Sequence, residues 1–357
     1  MRTPSQFTRL LFLTALISVM LALTGCRREP RVQPDPNHPG RYRATLETMG
    51  TDGAILVVAP GPDEATEMVS AAIARIRTIE RRMSTYRPKS EISRLNSRGA
   101  RQPVKLTPLT LRVLNETDRF HQLTDGAFDP TYAPLRTLWR KAQERQEVPT
   151  DAEVEAALSR VGNEGLIIED RAVRFATEGM EVDLGGIAKG FAIDRAIEAL
   201  SEAGAPSALV DIGGDIRVLG RRGDNTRWKI QVRDPRPGKG DPIILRLEDV
   251  AVATSGDYAR FFRIGEHRFS HIIDPRTGRP VDSVPSATVI APDALTADAL
   301  ATAASVLGAP RAVELVDSQE GVECMIVSRR EADDEKEKVY FSENFRSFID
   351  SEPPENE

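Results

Sequence analysis

Asp183-Leu184-Gly185-Gly186-Ile187-Ala188-Lys189-Gly190 opens a helical pattern from Ile187 to Ala203, and Ala208-Leu209-Val210-Asp211 and Ile216-Arg217-Val218-Leu219 follow it as two strands around Gly213-Gly214. The glycines lack the G-x-G-x-x-G spacing of a dinucleotide fingerprint and that of a phosphate-binding Walker loop. A bare Gly pair before a helix also serves as a tight strand-to-helix turn, so the decision falls to what comes next. Strand-like runs then dominate: Trp228–Val232, Ile243–Leu247, Val250–Thr254, Phe261–Ile264, Phe269–Ile273 and Ala287–Ile290. Short Gly/Asp turns join segregated strands here, without the regular helix-strand alternation of a parallel sheet. The expectation is an α+β fold of largely antiparallel sheets packed with helices, as one domain or two intimately packed subdomains.

Upstream, Ala44–Thr48 and Ala54–Ala59 read as strands around a turn at Met49 to Gly53. Asp63 to Met83 repeats apolar residues at helical spacing, with acids early and basic residues late, as the helix dipole favours. Pro108–Leu123 is a second amphipathic helix. Thr150–Val161 is a third, with Thr150 and Glu153 spaced as a capping box. Downstream, helices are predicted at Leu295–Leu307 and Arg311–Ser318, before two final strands.

The ends of the chain differ from this pattern. Arg2 and Arg9 supply a basic stretch before a short apolar run, Leu10 to Leu23, too short for a spanning helix and placed as a secretory signal over residues 1–25. It ends in Leu23-Thr24-Gly25-Cys26, similar to a bacterial lipobox, whose Cys26 would be acylated and begin the mature chain. Each buried CH₂ of such acyl chains adds about 0.8 kcal/mol of membrane affinity. The expectation is an exported protein, lipid-anchored to the bacterial membrane and facing the periplasm or cell exterior. Pro30, Pro34, Pro36 and Pro39 mark residues 26–42 as a flexible tether to a catalytic domain at 43–350, and 351–357 form an acidic tail. With Cys26 lipidated, Cys324 is the sole remaining thiol, in an apolar run that suits packing better than reactivity. A net charge of −6 argues against nucleic acid as a partner.

Some residues suggest chemistry. Gly185-Gly186 lets the chain approach a ligand, and the helix after it offers free N–H groups with Lys189 in its first turn. Asp298 and Thr302 stand one turn apart on a predicted helix, sharing a face about 40° wide. Both are hard oxygen ligands suited to Mg²⁺, although an isolated D-x-x-x-T also fits a solvated face. Of four histidines, His38 falls in the tether and His121 on an amphipathic helix. His271 leaves a strand before an Asp-Pro turn, where a general base or a structural histidine fits.

Together these segments resemble the ApbE family of FAD:protein FMN transferases. The resemblance rests on Met49-Gly50-Thr51, on Met83-Ser84-Thr85-Tyr86 with Ser90-Glu91 and Asn96, and on Gly126-Ala127-Phe128-Asp129-Pro130. It continues through Asp183 to Gly190, Asp211 to Asp215, Ala253 to Tyr258, Ser270 to Pro275 and Ala297 to Thr302, in that order. It implies that Met49, Tyr86, Ala127, Phe128 and Asp129 line the flavin and adenine ends of an FAD site. Asp183, Lys189, His271 and Ile273 would surround its ribityl and pyrophosphate portion. The carbonyl of Gly186 with Asp298 and Thr302 would hold Mg²⁺. Some relatives carry an Asp just before that Thr; here it is Ala301, which leaves a second metal open. The implied reaction moves FMN from FAD to a Ser/Thr hydroxyl of a client flavoprotein and releases AMP, with His271 as base and Asp298 as its fallback. A membrane respiratory subunit or an exported flavoprotein would be the client. An FAD pyrophosphatase would use the same pocket and metal, and a non-catalytic FAD-binding lipoprotein would need neither Asp298 nor Thr302.

Overall fold

A computed structural model describes residues 31–232, 242–256, 261–329 and 338–350. The predicted signal and Cys26, the acidic tail, and Asp257-Tyr258 lie outside the described residues. From Val32 onward the described residues cluster as one compact unit. The predicted tether also ends earlier than expected. Gln33–Pro34 pairs with Arg43 and Tyr42, and Asp35 accepts a 2.7 Å hydrogen bond from the Arg41 guanidinium. Pro34 can sit there because an edge strand leaves one side of its backbone unpaired.

Among the described residues the main sheet has nine strands, and their order across the sheet is their order in the chain: Gln33–Pro34, Arg41–Thr48, Thr51–Val58, Ala208–Ile212, Asp215–Leu219, Ala251–Gly256, Ser286–Ala291, Glu323–Ser328 and Lys338–Phe341. Every neighbouring pair is antiparallel, as expected. The turn after Arg41–Thr48 is tighter than predicted. Thr48 pairs with Thr51, so Met49-Gly50 alone makes the turn, with φ of 51° and 77°. Two positive φ angles match the twist of a two-residue hairpin, and Gly50 adopts one without strain, while Met49 does not.

Among the described residues eight α-helices accompany the sheet: α1 (Pro62–Met83), α2 (Glu91–Arg98), α3 (Pro108–Leu123), α4 (Ala133–Arg145), α5 (Asp151–Leu158), α6 (Ala188–Glu202), α7 (Ala294–Leu307) and α8 (Ala309–Asp317). In α1 the spaced residues Met68, Ala72, Ile76, Ile79 and Met83 are all buried. Each large one contributes on the order of 2 kcal/mol of transfer free energy. The capping box at Thr150 and Glu153 forms. Sequence reading missed α2, α4 and a small sheet of Val104–Lys105, Ala172–Phe175 and Leu166–Glu169. It also extended one strand too far: the hairpin Phe261–Ser270 ends before Ile273, which bridges to Pro280 instead.

α1, α6 and α7 pack together on one face of the sheet, and a hairpin of Trp228–Val232 with Ile243–Leu247 covers part of the other. Cys324 is buried in the sheet, where desolvation pushes its thiol up to about 12, in keeping with a packed residue. α6 and α7 touch at Gly190, where a Cβ would fall 2.1 Å from the Ala294 carbonyl oxygen. Asp194, one turn on in α6, accepts the Ala294 and Leu295 backbone N–H groups at 2.8 and 2.9 Å and receives Arg217 at 2.6 Å. These bonds satisfy orphan donors of α7 and set where its residues stand. Among the described residues no helix is long and apolar enough to cross a membrane.

Candidate active site

A cavity of about 990 Å³ opens where the Met49-Gly50 turn, the end of α1, the loop before α4, the glycine segment before α6 and the end of α7 converge. Met49, Tyr86, Ala127, Phe128, Asp129, Asp183, Lys189, His271 and Ile273 all line it, as do Gly186 and Thr302. The predicted cofactor residues therefore share one space, although they come from distant parts of the chain. Asp298 is the exception. It lies behind the lining, 4% exposed, and reaches the cavity only through its neighbours.

The inner wall is built on α6 and α7. Lys189 Nζ lies 2.8 Å from Asp298 Oδ1 and 2.5 Å from Asp215 Oδ2, and Asp298 Oδ2 accepts the Gly190 backbone N–H at 3.0 Å. Asp298 is thus not on a solvated face, because α7 is buried along nearly its whole length. Burial disfavours charge on Lys189, but the two carboxylates outweigh it and raise its pKa, so it stays an ammonium. Burial drives the Asp215 carboxyl upward against the pull of that ammonium. Gly186 sits beside Thr302: a Cβ on it would come within 3.2 Å of the Thr302 hydroxyl and of the Phe128 ring.

The glycine segment is tied down from both sides. Asn96 in α2 donates to the Val182 carbonyl at 2.9 Å and accepts the Val182 N–H at 2.8 Å. The Asp183 N–H donates to the Pro130 carbonyl at 2.8 Å, and Asp183 Oδ1 accepts the Gly185 N–H at 2.6 Å. Asp183 Oδ2 pairs with Arg136 at 2.5 Å. Burial, with Asp183 nearby, raises the Tyr132 hydroxyl pKa, so it stays protonated beside this pair.

The outer wall is looser and more aromatic. Tyr86 is 86% exposed, with the Arg136 guanidinium 5.9 Å from its ring centroid. The Tyr86 N–H donates to the Ser84 hydroxyl, and the Ser93 hydroxyl donates to the Ser84 and Thr85 carbonyls, fixing the turn that carries the ring. Trp139 and Phe262 also line the cavity, and both pack on Phe269. The Trp139 indole N–H donates to the Gly278 carbonyl at 2.8 Å, anchoring the turn after His271. His271 is exposed at the rim. Asp129 accepts the Thr131 N–H and hydroxyl, and lies 3.3 Å from His121 Nδ1.

The oxygen donors fit a hard divalent cation. Asp298 supplies a carboxylate, and Thr302 a hydroxyl one turn along the same helix against the Gly186 backbone. The Lys189 ammonium already sits at the Asp298 oxygen a cation would use, so that position is electrostatically prepared for positive charge. Sequence reasoning gave no role to Arg136 and Asp215. Arg136 follows the quoted Phe128-Asp129-Pro130 motif closely and Asp215 closes another, but only the fold supplies their partners.

Comparison with known proteins gives the family of the chain. The ApbE family model matches residues 49–326. A FAD:protein FMN transferase of Vibrio cholerae is 35% identical over 343 residues, covering 95% of this chain and 98% of that protein. One from Treponema pallidum is 31% identical, covering 87% and 89%. The solved structure of the flavin transferase ApbE from Vibrio cholerae superposes with a TM-score of 0.77 at 33% identity, covering 86% of this chain and 99% of that one. The apo flavinyl transferase ApbE of Pseudomonas stutzeri gives 0.76 at 28% identity, covering 90% and 98%. With the match extending through the sheet, both helices of the inner wall and the cavity between them, the chain belongs to the ApbE family.

Proposed function

We infer that this chain is an FAD:protein FMN transferase, taking FMN from FAD to a hydroxyl of a client protein and releasing AMP. The observation that carries this reading is the convergence of the predicted flavin-site residues on one cavity with a charged inner wall. The size of that cavity suits a large cofactor-like substrate.

For the chemistry, we propose that the client group is a Ser or Thr hydroxyl. Its oxygen forms a bond to the FMN-side phosphorus of FAD, the bridging P–O bond breaks, and the electron pair leaves on AMP. Phosphoryl transfer of this kind depends on positioning and charge neutralisation. Lys189 faces the cavity as a fixed positive charge for the pyrophosphate. Asp183, held by Arg136 and the Gly185 N–H, orients the ribityl portion, and Tyr86 covers the isoalloxazine ring. His271 at the rim takes the hydroxyl proton. Mg²⁺ held by Asp298, Thr302 and the Gly186 carbonyl would neutralise the pyrophosphate and the departing AMP.

We also propose that Cys26 is acylated and that the chain works as an exported, membrane-anchored enzyme, on the lipobox-like Leu23 to Cys26. Its client would then be a membrane respiratory subunit or an exported flavoprotein. A Cys26→Ser chain should remain uncut or be released in soluble form; one still processed and lipid-labelled refutes the anchor. The reaction is tested by incubating the protein with FAD, Mg²⁺ and a Thr-bearing client, followed by mass spectrometry. The expected result is a client heavier by one FMN, with AMP released in equal amount. FMN and AMP freed without modified client would identify a pyrophosphatase instead, and FAD bound intact would identify a carrier.

A further inference from the structure

Of the three charged groups in the inner wall, only Lys189 lines the cavity; Asp215 and Asp298 stand behind it. Asp298 is occupied on both oxygens, by Lys189 and by the Gly190 N–H. Asp215 is 3% exposed and placed by a turn of two positive-φ residues, Gly213 at 67° and Gly214 at 93°, at the start of its strand. Its Oδ1 accepts the Thr254 N–H at a long 3.4 Å. Its buried Oδ2 lies 2.5 Å from the Lys189 ammonium and accepts no hydrogen bond from any other group among the described residues.

A cation that takes Asp298 must displace Lys189 from that carboxylate. An ammonium left without a counter-ion in a buried wall is costly, as is any unpaired buried charge. We propose that Asp215 is a positioning residue for metal entry: it retains the Lys189 ammonium while Asp298 passes to the divalent cation. The charge balance supports the hand-over. Two carboxylates and one ammonium leave a single negative charge, which a divalent cation turns into a single positive one, suited to an anionic substrate. Without the Asp215 charge the same event would leave two positive charges side by side. Asp215 therefore acts through Lys189 and not as a ligand. The proposal rests on the reading of Asp298 as the metal carboxylate.

The test is Mn²⁺ binding to the full FAD-free protein, followed by the spectroscopic signal of free Mn²⁺. Asp215→Asn should weaken Mn²⁺ binding about tenfold, and Lys189→Gln should tighten it, because the competing ammonium is gone. In the Lys189→Gln background, Asp215→Asn should shift affinity by less than about twofold, the non-additivity of residues that act as a unit. Equal losses in both backgrounds would overturn the proposal in favour of direct ligation by Asp215. No loss in the unsubstituted background would also overturn it. Asp298→Asn is the separate control: if it binds Mn²⁺ as tightly as the unsubstituted chain, the metal assignment itself fails. Circular dichroism melting checks each variant, and Lys189→Met replaces Lys189→Gln should that chain not fold.

Discussion

The two walls of the cavity are built by opposite means. The inner wall stands on α6 and α7, which approach so closely at Gly190 that no side chain fits, and its carboxylates are almost wholly buried. The outer wall carries Tyr86 on a short turn, nearly free in solvent, with Trp139 and Phe262 beside it. Groups that must meet developing charge gain from rigid, dry placement, since displacement costs them most. Groups that cover a planar ring work by area and tolerate movement. The inner wall should therefore govern turnover and the outer wall affinity.

The largest effect tests the inner wall. Asp298→Ala should reduce FMN transfer by on the order of a thousandfold, Thr302→Ala by about tenfold, and a chelator should reproduce the larger loss. FAD binding without metal should survive in part, since most lining residues are untouched. Transfer at the full rate by Asp298→Ala in the presence of chelator would remove the metal from the mechanism.

Next comes the packing beneath that wall. In Gly190→Ala the new Cβ would meet the Ala294 carbonyl oxygen at 2.1 Å, so α6 and α7 must separate. Overpacking of this kind costs roughly 3 kcal/mol, readable as a lowered denaturation midpoint. Gly186→Ala meets the Thr302 hydroxyl and the Phe128 ring only at 3.2 Å. It should melt near the unsubstituted chain yet transfer FMN more slowly. If the two variants lose equal stability, the inner wall is softer than its geometry states.

The outer wall should respond in affinity. Tyr86→Ala removes a stacking surface worth about 1 kcal/mol beyond area burial, so the FAD dissociation constant should rise about fivefold with the fold intact. A rate loss with unchanged affinity would reverse the division between the walls.

How much of this was legible depended on how local the signal was. The central strands of the sheet could be read because their apolar runs lie between short Gly and Asp turns, and α1 because its buried residues repeat every turn. α4 was missed although Leu135, Trp139 and Ala142 keep helical spacing, because Pro130 and Pro134 near its start resemble a loop. The tether was over-extended because four prolines suggest disorder, whereas Asp35 and Arg41 close that segment on itself. Arg136 and Asp215 had no readable role, since each is defined by a partner far along the chain, Asp183 for one and Lys189 for the other. Asp298 and Thr302 were visible as a pair, but the burial of Asp298 was not, because the surrounding alanines carry no clear face.

The smallest expected effect is a pH dependence where the outer wall meets α3. His121 Nδ1 lies 3.3 Å from Asp129 Oδ2, and that neighbouring carboxylate, against the opposing effect of burial, raises the His121 pKa above its ordinary value. A group whose pKa is raised on folding contributes stability that is complete below its unfolded value, about 6.5, and that fades as pH rises through the folded value. The contribution should therefore be present in mild acid and decline toward mild base. Asp129 keeps its bonds from Thr131 throughout, so the loop stays formed while one of its ties weakens. Chemical denaturation at about pH 6 and about pH 8.5 should show a falling midpoint for the unsubstituted chain and a flatter profile for His121→Gln, which cannot take up the proton. An identical decline in both chains would assign the dependence to other groups and leave His121 as packing on α3.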